Sequence, residues 1–138
     1  MNKNCAIIVE DFKLIAQAWC KILEKSELFS EIHLLYDAES IEQKIEKLNP
    51  KLILMDVNLP YSKNGIDITK NLIQNNPDLS VIILTMHNEP IYVKKALEAG
   101  AKGYVTKNSP LSEINRAIEE VLKGNQYICE EVLVATAN

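Results

Sequence analysis

The stretch Leu52-Ile53-Leu54-Met55-Asp56 sets four consecutive apolar residues directly against a carboxylate. An unbroken apolar run suits a strand buried on both faces, as in the middle of a parallel sheet, rather than the in-out alternation of a half-exposed strand. The charge that ends it has a poor structural excuse, because aspartate is rarely buried without a partner. Outward from this stretch, runs rich in β-branched residues recur at Ala6-Ile7-Ile8-Val9, Ile32 to Tyr36, Val81-Ile82-Ile83-Leu84 and, more weakly, Gly103-Tyr104-Val105-Thr106. Five strands are expected.

Between them lie segments of helical spacing. The first carries Ile15, Trp19, Ile22 and Leu23 on one side, with Lys13, Lys21 and Glu24 elsewhere, and the last carries Ile114, Ala117, Ile118, Val121 and Leu122. The others are marked by their ends: Asp37 as a cap, Asn88 with Pro90 and Ser109 before Pro110 as starts, Gly100 and Gly124 as stops. Strand and helix alternating five times predict an α/β fold, a doubly wound, flavodoxin-like (βα)5 sandwich with a five-stranded parallel sheet of order 2-1-3-4-5. Residues 1–123 are assigned to this domain. Residues 124–138 find no place in the repeat and are expected to be a tail or the start of a linker.

The 138 residues leave room for one domain, and 47% hydrophobic with 25% charged residues is the balance of a folded globular chain. A domain of this size removes roughly two-thirds of its unfolded surface from water, so it folds without disulfides or a structural metal. Fifteen Lys and Arg against 19 Asp and Glu, a net charge of -4 with no basic stripe, argue against direct nucleic-acid binding by this segment. Cys5, Cys20 and Cys129 are odd in number and far apart, which supports neither a disulfide framework nor a zinc site. The apolar run after Asn4 is too short for a signal peptide or a membrane span, so a cytoplasmic protein without membrane contact is expected.

In a parallel sheet all strand carboxyl ends share one edge, where ligands bind. The first strand ends in Glu10-Asp11, the third in Asp56, the fourth in Thr85, and Lys107 follows the fifth. The second, ending in Tyr36-Asp37, is expected at the sheet's border and is given no chemistry. Singly these residues are ordinary: Asp11 could cap a helix, Thr85 is a common strand residue, Lys107 a solvated lysine. Together they bring three carboxylates, a hydroxyl and an ammonium to one place. The mutual repulsion of the acids implies a hard cation with oxygen ligands, most simply Mg²⁺. Such a cation beside a lysine and a hydroxyl suits a phosphoryl group, with Asp56 as the carboxylate that accepts it.

At these positions the sequence resembles the receiver domain of two-component response regulators. The matching motifs are Ile8-Val9-Glu10-Asp11, Leu54-Met55-Asp56 with Pro60 downstream, Leu84-Thr85-Met86-His87, and Ala99 to Tyr104 running on to Lys107. The wording around Thr85 and from Gly100 to Lys107 is most similar to the NarL/FixJ subgroup, whose members usually carry a C-terminal DNA-binding helix-turn-helix. The resemblance implies that Asp56 accepts phosphate from a sensor histidine kinase and that Glu10, Asp11, Asp56 and the backbone carbonyl of Asn58 hold Mg²⁺. It further implies that Thr85 and Lys107 contact the phosphate, and that Thr85 and Tyr104 act as the switch pair, with a homodimer among the partners. Trp19, Met55 and Met86 are read as packing residues. Family members usually place a glycine eight residues after the phosphoacceptor, whereas Gly65 stands nine after Asp56. No helix-turn-helix follows, so the chain is read as the receiver part of a longer transcription regulator, with a single-domain receiver as the alternative.

Three other readings compete. A phosphohydrolase of haloacid dehalogenase type needs a second acid two residues after its nucleophile, where this chain has Asn58. The expectation is therefore a phosphoacceptor with self-catalysed transfer and dephosphorylation, not an enzyme. A flavin or dinucleotide carrier needs a glycine-rich loop after the first strand, where Glu10-Asp11-Phe12-Lys13 stands instead. A receiver-like module that is never phosphorylated is opposed only by the complete set of site residues.

Overall fold

A computed structural model describes residues 4–59 and 64–136. Pro60 and the rest of the loop before Asn64 lie outside the described residues. Strands β1 (Cys5–Val9), β2 (Glu31–Leu35), β3 (Leu52–Met55), β4 (Ser80–Thr85) and β5 (Gly103–Thr106) alternate with helices α1 (Lys13–Ser26), α2 (Ile41–Leu48), α3 (Gly65–Asn75), α4 (Pro90–Glu98) and α5 (Leu111–Leu122). All strands pair in parallel, in the order β2-β1-β3-β4-β5. Burial follows position: every residue of β1, β3, β4 and β5 is buried, whereas all of β2, on the border, is half-buried. The continuous apolar runs are thus those of the covered interior strands.

The sheet is larger than five strands. After Gly124, β6 (Tyr127–Ile128) pairs in parallel with β5, and α6 (Glu130–Thr136) packs against α4 and β5. Cys129 and Val132 are fully buried there. The segment expected to hang free therefore extends the core: Tyr127 N–H donates to Lys102 O at 2.9 Å and Cys129 N–H to Tyr104 O at 3.0 Å, continuing the ladder of β5.

Helix starts fall near the expected places, but the caps differ. Asp37 Oδ1 accepts from Glu39 N–H inside the turn before α2, whose N-cap is Ser40. Asn88 turns its amide to Glu131, leaving Glu89 as the N-cap of α4 with Pro90 at its first turn. Ser109 bonds Thr106 instead of capping α5. A true side-chain cap stands at Asn64, whose Oδ1 accepts from Asp67 N–H at 3.0 Å. Gly100 adopts φ +104°, the left-handed conformation that ends α4 without a Cβ penalty. No helix among the described residues is long and apolar enough to cross a membrane.

Candidate functional site

Thr85 ends β4, whereas Glu10, Asp56 and Lys107 stand just past the ends of their strands with their backbones still held by the neighbouring strand. Glu10 N–H donates to Leu35 O (3.0 Å), Asp56 N–H to Val9 O (3.1 Å) and Lys107 N–H to Thr85 O (2.8 Å). The sheet ladder thereby fixes where these side chains begin. Their buried tips meet: Lys107 Nζ lies 2.6 Å from Glu10 Oε1 and 3.1 Å from Asp56 Oδ2, donating a hydrogen bond to the latter. Glu10 is fully buried and Asp56 is 3% exposed, while Asp11 is exposed at the rim.

Glu10, Asp11 and Asp56 each bring a carboxylate oxygen within 4.8 Å of the others. Desolvation and the adjacent Glu10 push the Asp11 carboxyl above its ordinary value. Burial alone would lower the Lys107 ammonium, but Glu10 and Asp56 outweigh it and hold the group above its ordinary value. One ammonium thus faces three acids. Glu10 Oε1 is buried and makes no aligned hydrogen bond, its contact with Lys107 being ionic only. An all-oxygen donor set of three carboxylates, only partly neutralised by one ammonium, fits a hard divalent cation such as Mg²⁺.

Thr85 is fully buried, and its Oγ1 accepts from His87 N–H at 3.3 Å. Asn58 N–H approaches Asp56 Oδ1 at 3.4 Å, and Asn58 Nδ2 lies 3.1 Å from His87 Nε2, so the β3–α3 and β4–α4 loops touch beside the carboxylate. The His87 ring stacks on Tyr92 at 4.2 Å between centroids. Tyr104 is wholly buried, with its hydroxyl donating to His87 O at 2.7 Å; burial and the nearby Glu89 push that hydroxyl far above the ordinary phenol range.

Gly65 is a demand of this site. A Cβ there would come within 1.9 Å of Asp56 O, while Gly65 N–H donates to Val57 O at 2.7 Å. The start of α3 is pressed against the backbone of the site aspartate, so the glycine nine residues on still meets that backbone.

The structure therefore brings together Glu10, Asp11, Asp56 and Lys107, with Thr85, Asn58 and Tyr104 linked through the loops around them. Met55 is core and Trp19 is buried, its ring 5.5 Å beneath Lys107 Nζ. Met86, by contrast, is 57% exposed and packs little. Sequence reasoning missed Glu131, whose carboxylate accepts from both Thr106 Oγ1 and Asn88 Nδ2. A cavity of about 850 Å³, lined by residues including Ile45, Pro50, Asn76 and Leu122, opens away from these carboxylates and gathers no ligating cluster among the described residues.

The response regulator receiver domain profile matches residues 6–119. The chain is 34% identical over 131 residues to the transcriptional regulatory protein DegU of Brevibacillus brevis, covering 95% of this chain and 55% of that protein. It thus spans just over half the length of that relative. A LuxR-family two-component response regulator from Aurantimonas sp. SI85-9A1 superposes with a TM-score of 0.91 at 27% identity, covering 99% of this chain and 96% of the other. The isolated REC domain of RcsB from Salmonella enterica serovar Typhimurium, solved with the phosphomimetic BeF3-, gives 0.87 at 26% identity over 95% and 96% of the two chains. With the profile running from β1 into α5, and the fold recovered across regulators of one kind, the chain belongs to the response regulator receiver domain family, of the NarL/FixJ type.

Proposed function

We propose that the chain is a phosphorylation-operated switch in which Asp56 accepts a phosphoryl group from a phosphohistidine of a sensor histidine kinase. The observation that carries this reading is the buried Lys107 ammonium bridging Glu10 and Asp56 at the strand ends. An Asp56 carboxylate oxygen attacks phosphorus, the P–N bond breaks, and the imidazole leaves with a proton. Glu10, Asp11, Asp56 and the Asn58 backbone carbonyl would hold Mg²⁺, which when bound neutralises charge on the transferring phosphoryl oxygens. Lys107 pairs with one phosphoryl oxygen. The Thr85 hydroxyl donates to another, and turning it inward gives up the bond it now accepts from His87 N–H.

That exchange loosens the β4–α4 loop, because His87 is held by Thr85, Asn58, Tyr92 and Tyr104 together. The surface formed by α4, β5 and the C-terminal segment is where the phosphorylated state then differs, and a homodimer or a released output domain would read it. The name of DegU, a transcriptional regulatory protein, supports reading this chain as the receiver of a transcription regulator, with β6 and α6 belonging to the receiver and an output domain lying beyond them. DNA contact belongs to that output domain and not to this segment. The chain acts as a stoichiometric phosphoacceptor and not as a turnover enzyme, and dephosphorylation is its own.

The test is intact mass after incubation with acetyl phosphate, with and without Mg²⁺, for the wild type and Asp56→Asn. One phosphoryl group per chain is expected, only with Mg²⁺ and only with Asp56 present. No adduct, together with no beryllofluoride-induced shift of Thr85 or Tyr104 resonances, would overturn the reading.

A further inference from the structure

The parallel register of β1 and β2 sets Cys5 opposite Glu31 and Ile7 opposite His33. Side chains two residues apart on a strand share a face, so Cys5, Glu31 and His33 fall together at the beginning of the two strands, at the edge remote from Asp56. Their Sγ, carboxylate oxygen and ring nitrogen lie within 4.8 Å of one another. No spacing rule could have shown this, since position 5 meets positions 31 and 33 only through strand pairing. We propose that Cys5, Glu31 and His33 form a transition-metal site, of the Zn²⁺ class, at the amino-terminal edge of the sheet.

Three observations support the assignment. First, His33 Nε2 is buried and makes no hydrogen bond, with Glu31 Oε2 at 3.5 Å. A protonated imidazole paired with Glu31 would account for two of the three groups but leaves the thiol beside them without a role. Second, a thiol and an imidazole with a single carboxylate select Zn²⁺, Co²⁺ or Cu over the hard cations that the acidic cluster at the other edge would take. Third, access fits: Glu31 and His33 are each 36% exposed on a border strand, with Cys5 buried beneath them. The Cys5 thiol makes only a weak contact of 3.9 Å with Ala6 O. Burial and the Glu31 charge keep that thiol protonated when no metal is bound, so binding releases its proton as the thiolate–metal bond forms. Three protein ligands leave a fourth position for solvent or a partner.

The experiment is a Co²⁺ titration of the full chain under saturating Mg²⁺, which occupies the hard-oxygen cluster. One equivalent should bind with the near-ultraviolet thiolate-to-cobalt band and the intense visible bands of a four-coordinate ion, and Zn²⁺ should bleach them. Cys5→Ala should abolish the thiolate band, His33→Gln should weaken binding by about tenfold or more, and Cys20→Ala should change neither. Absence of a thiolate band, its survival in Cys5→Ala, or unchanged affinity in His33→Gln would overturn the proposal. Should Cys5→Ala fail to fold by circular dichroism, His33→Gln decides alone, since its side chain is half-exposed on the border strand.

Discussion

Removing the Lys107 charge should destabilise the metal-free protein far more than removing the acid it contacts. With its side chain only 13% exposed, Lys107 lies 2.6 Å from Glu10 and 3.1 Å from Asp56. At an effective dielectric constant of about 20, the contacts amount to about 6 and about 5 kcal/mol before desolvation is subtracted. Removing one partner of a buried pair costs about 3–5 kcal/mol, because the other charge is stranded. Lys107→Met strands two, Glu10 and Asp56, while keeping the aliphatic stem over Trp19; a loss of about 3–5 kcal/mol is expected. Asp56→Asn instead leaves Lys107 paired with Glu10 and removes one of three mutually repelling acids, so its stability should stay within about 1 kcal/mol of wild type. Urea unfolding in chelator measures both. Saturating Mg²⁺ should then restore more stability to Lys107→Met than it adds to wild type, since the cation takes over the neutralising role. A loss under about 1 kcal/mol for Lys107→Met, or Asp56→Asn as damaging as Lys107→Met, would refute the charge reasoning.

Gly65→Ala drives a methyl group against Asp56 O, and the backbone must move; a loss of about 1–3 kcal/mol in urea unfolding is expected, with slower acetyl phosphate labelling of Asp56. Tyr104→Phe deletes the bond to His87 O and should cost about 1 kcal/mol, with faster amide exchange in residues 86–89 as its local readout. Glu131 is held below its ordinary carboxylate value of 4.5 by Thr106 and Asn88. A depressed folded value means that the contribution is complete above pH 4.5 and lost as pH falls through the folded value. The thermal midpoints of wild type and Glu131→Gln should therefore differ at neutral pH and converge below pH 4.5.

The site was legible because a parallel sheet turns distant positions into neighbours by rule. Knowing only that Val9, Met55, Thr85 and Thr106 end strands is enough to assemble Glu10, Asp56 and Lys107. The caps were not legible, because Asp37, Asn88 and Ser109 each had a nearer or stronger partner than the helix N–H groups: a local turn, Glu131 and Thr106. Local preference gives way where tertiary contact offers a better bond. The β6–α6 addition was hidden for another reason. A two-residue strand shows no period, and Cys129 and Val132 are buried by docking on β5 and α4 rather than by a stripe visible in sequence. The pairing of Asn58 with His87 and the seat of Lys107 over Trp19 needed loop geometry that no spacing encodes.

The C-terminal segment sits where a change at the carboxylates would be felt. Asp56 reaches Asn58, Asn58 reaches His87, and His87 O holds the Tyr104 hydroxyl at the centre of β5. Beyond that point the route divides and closes again: Asn88, next to His87, and Thr106, next to Lys107, both end on the single carboxylate of Glu131. Contiguity alone does not make coupling; the geometry of the closing bond adds the stronger constraint. Both bonds converge on one carboxylate, so a relative shift of the β4–α4 loop and the end of β5 is felt at Glu131. Thr85 and Lys107 are tied to each other across those same two strands, through Lys107 N–H and Thr85 O. A rearrangement that draws Thr85 toward Asp56 and carries the following loop with it would therefore act on Glu131, where α6 begins.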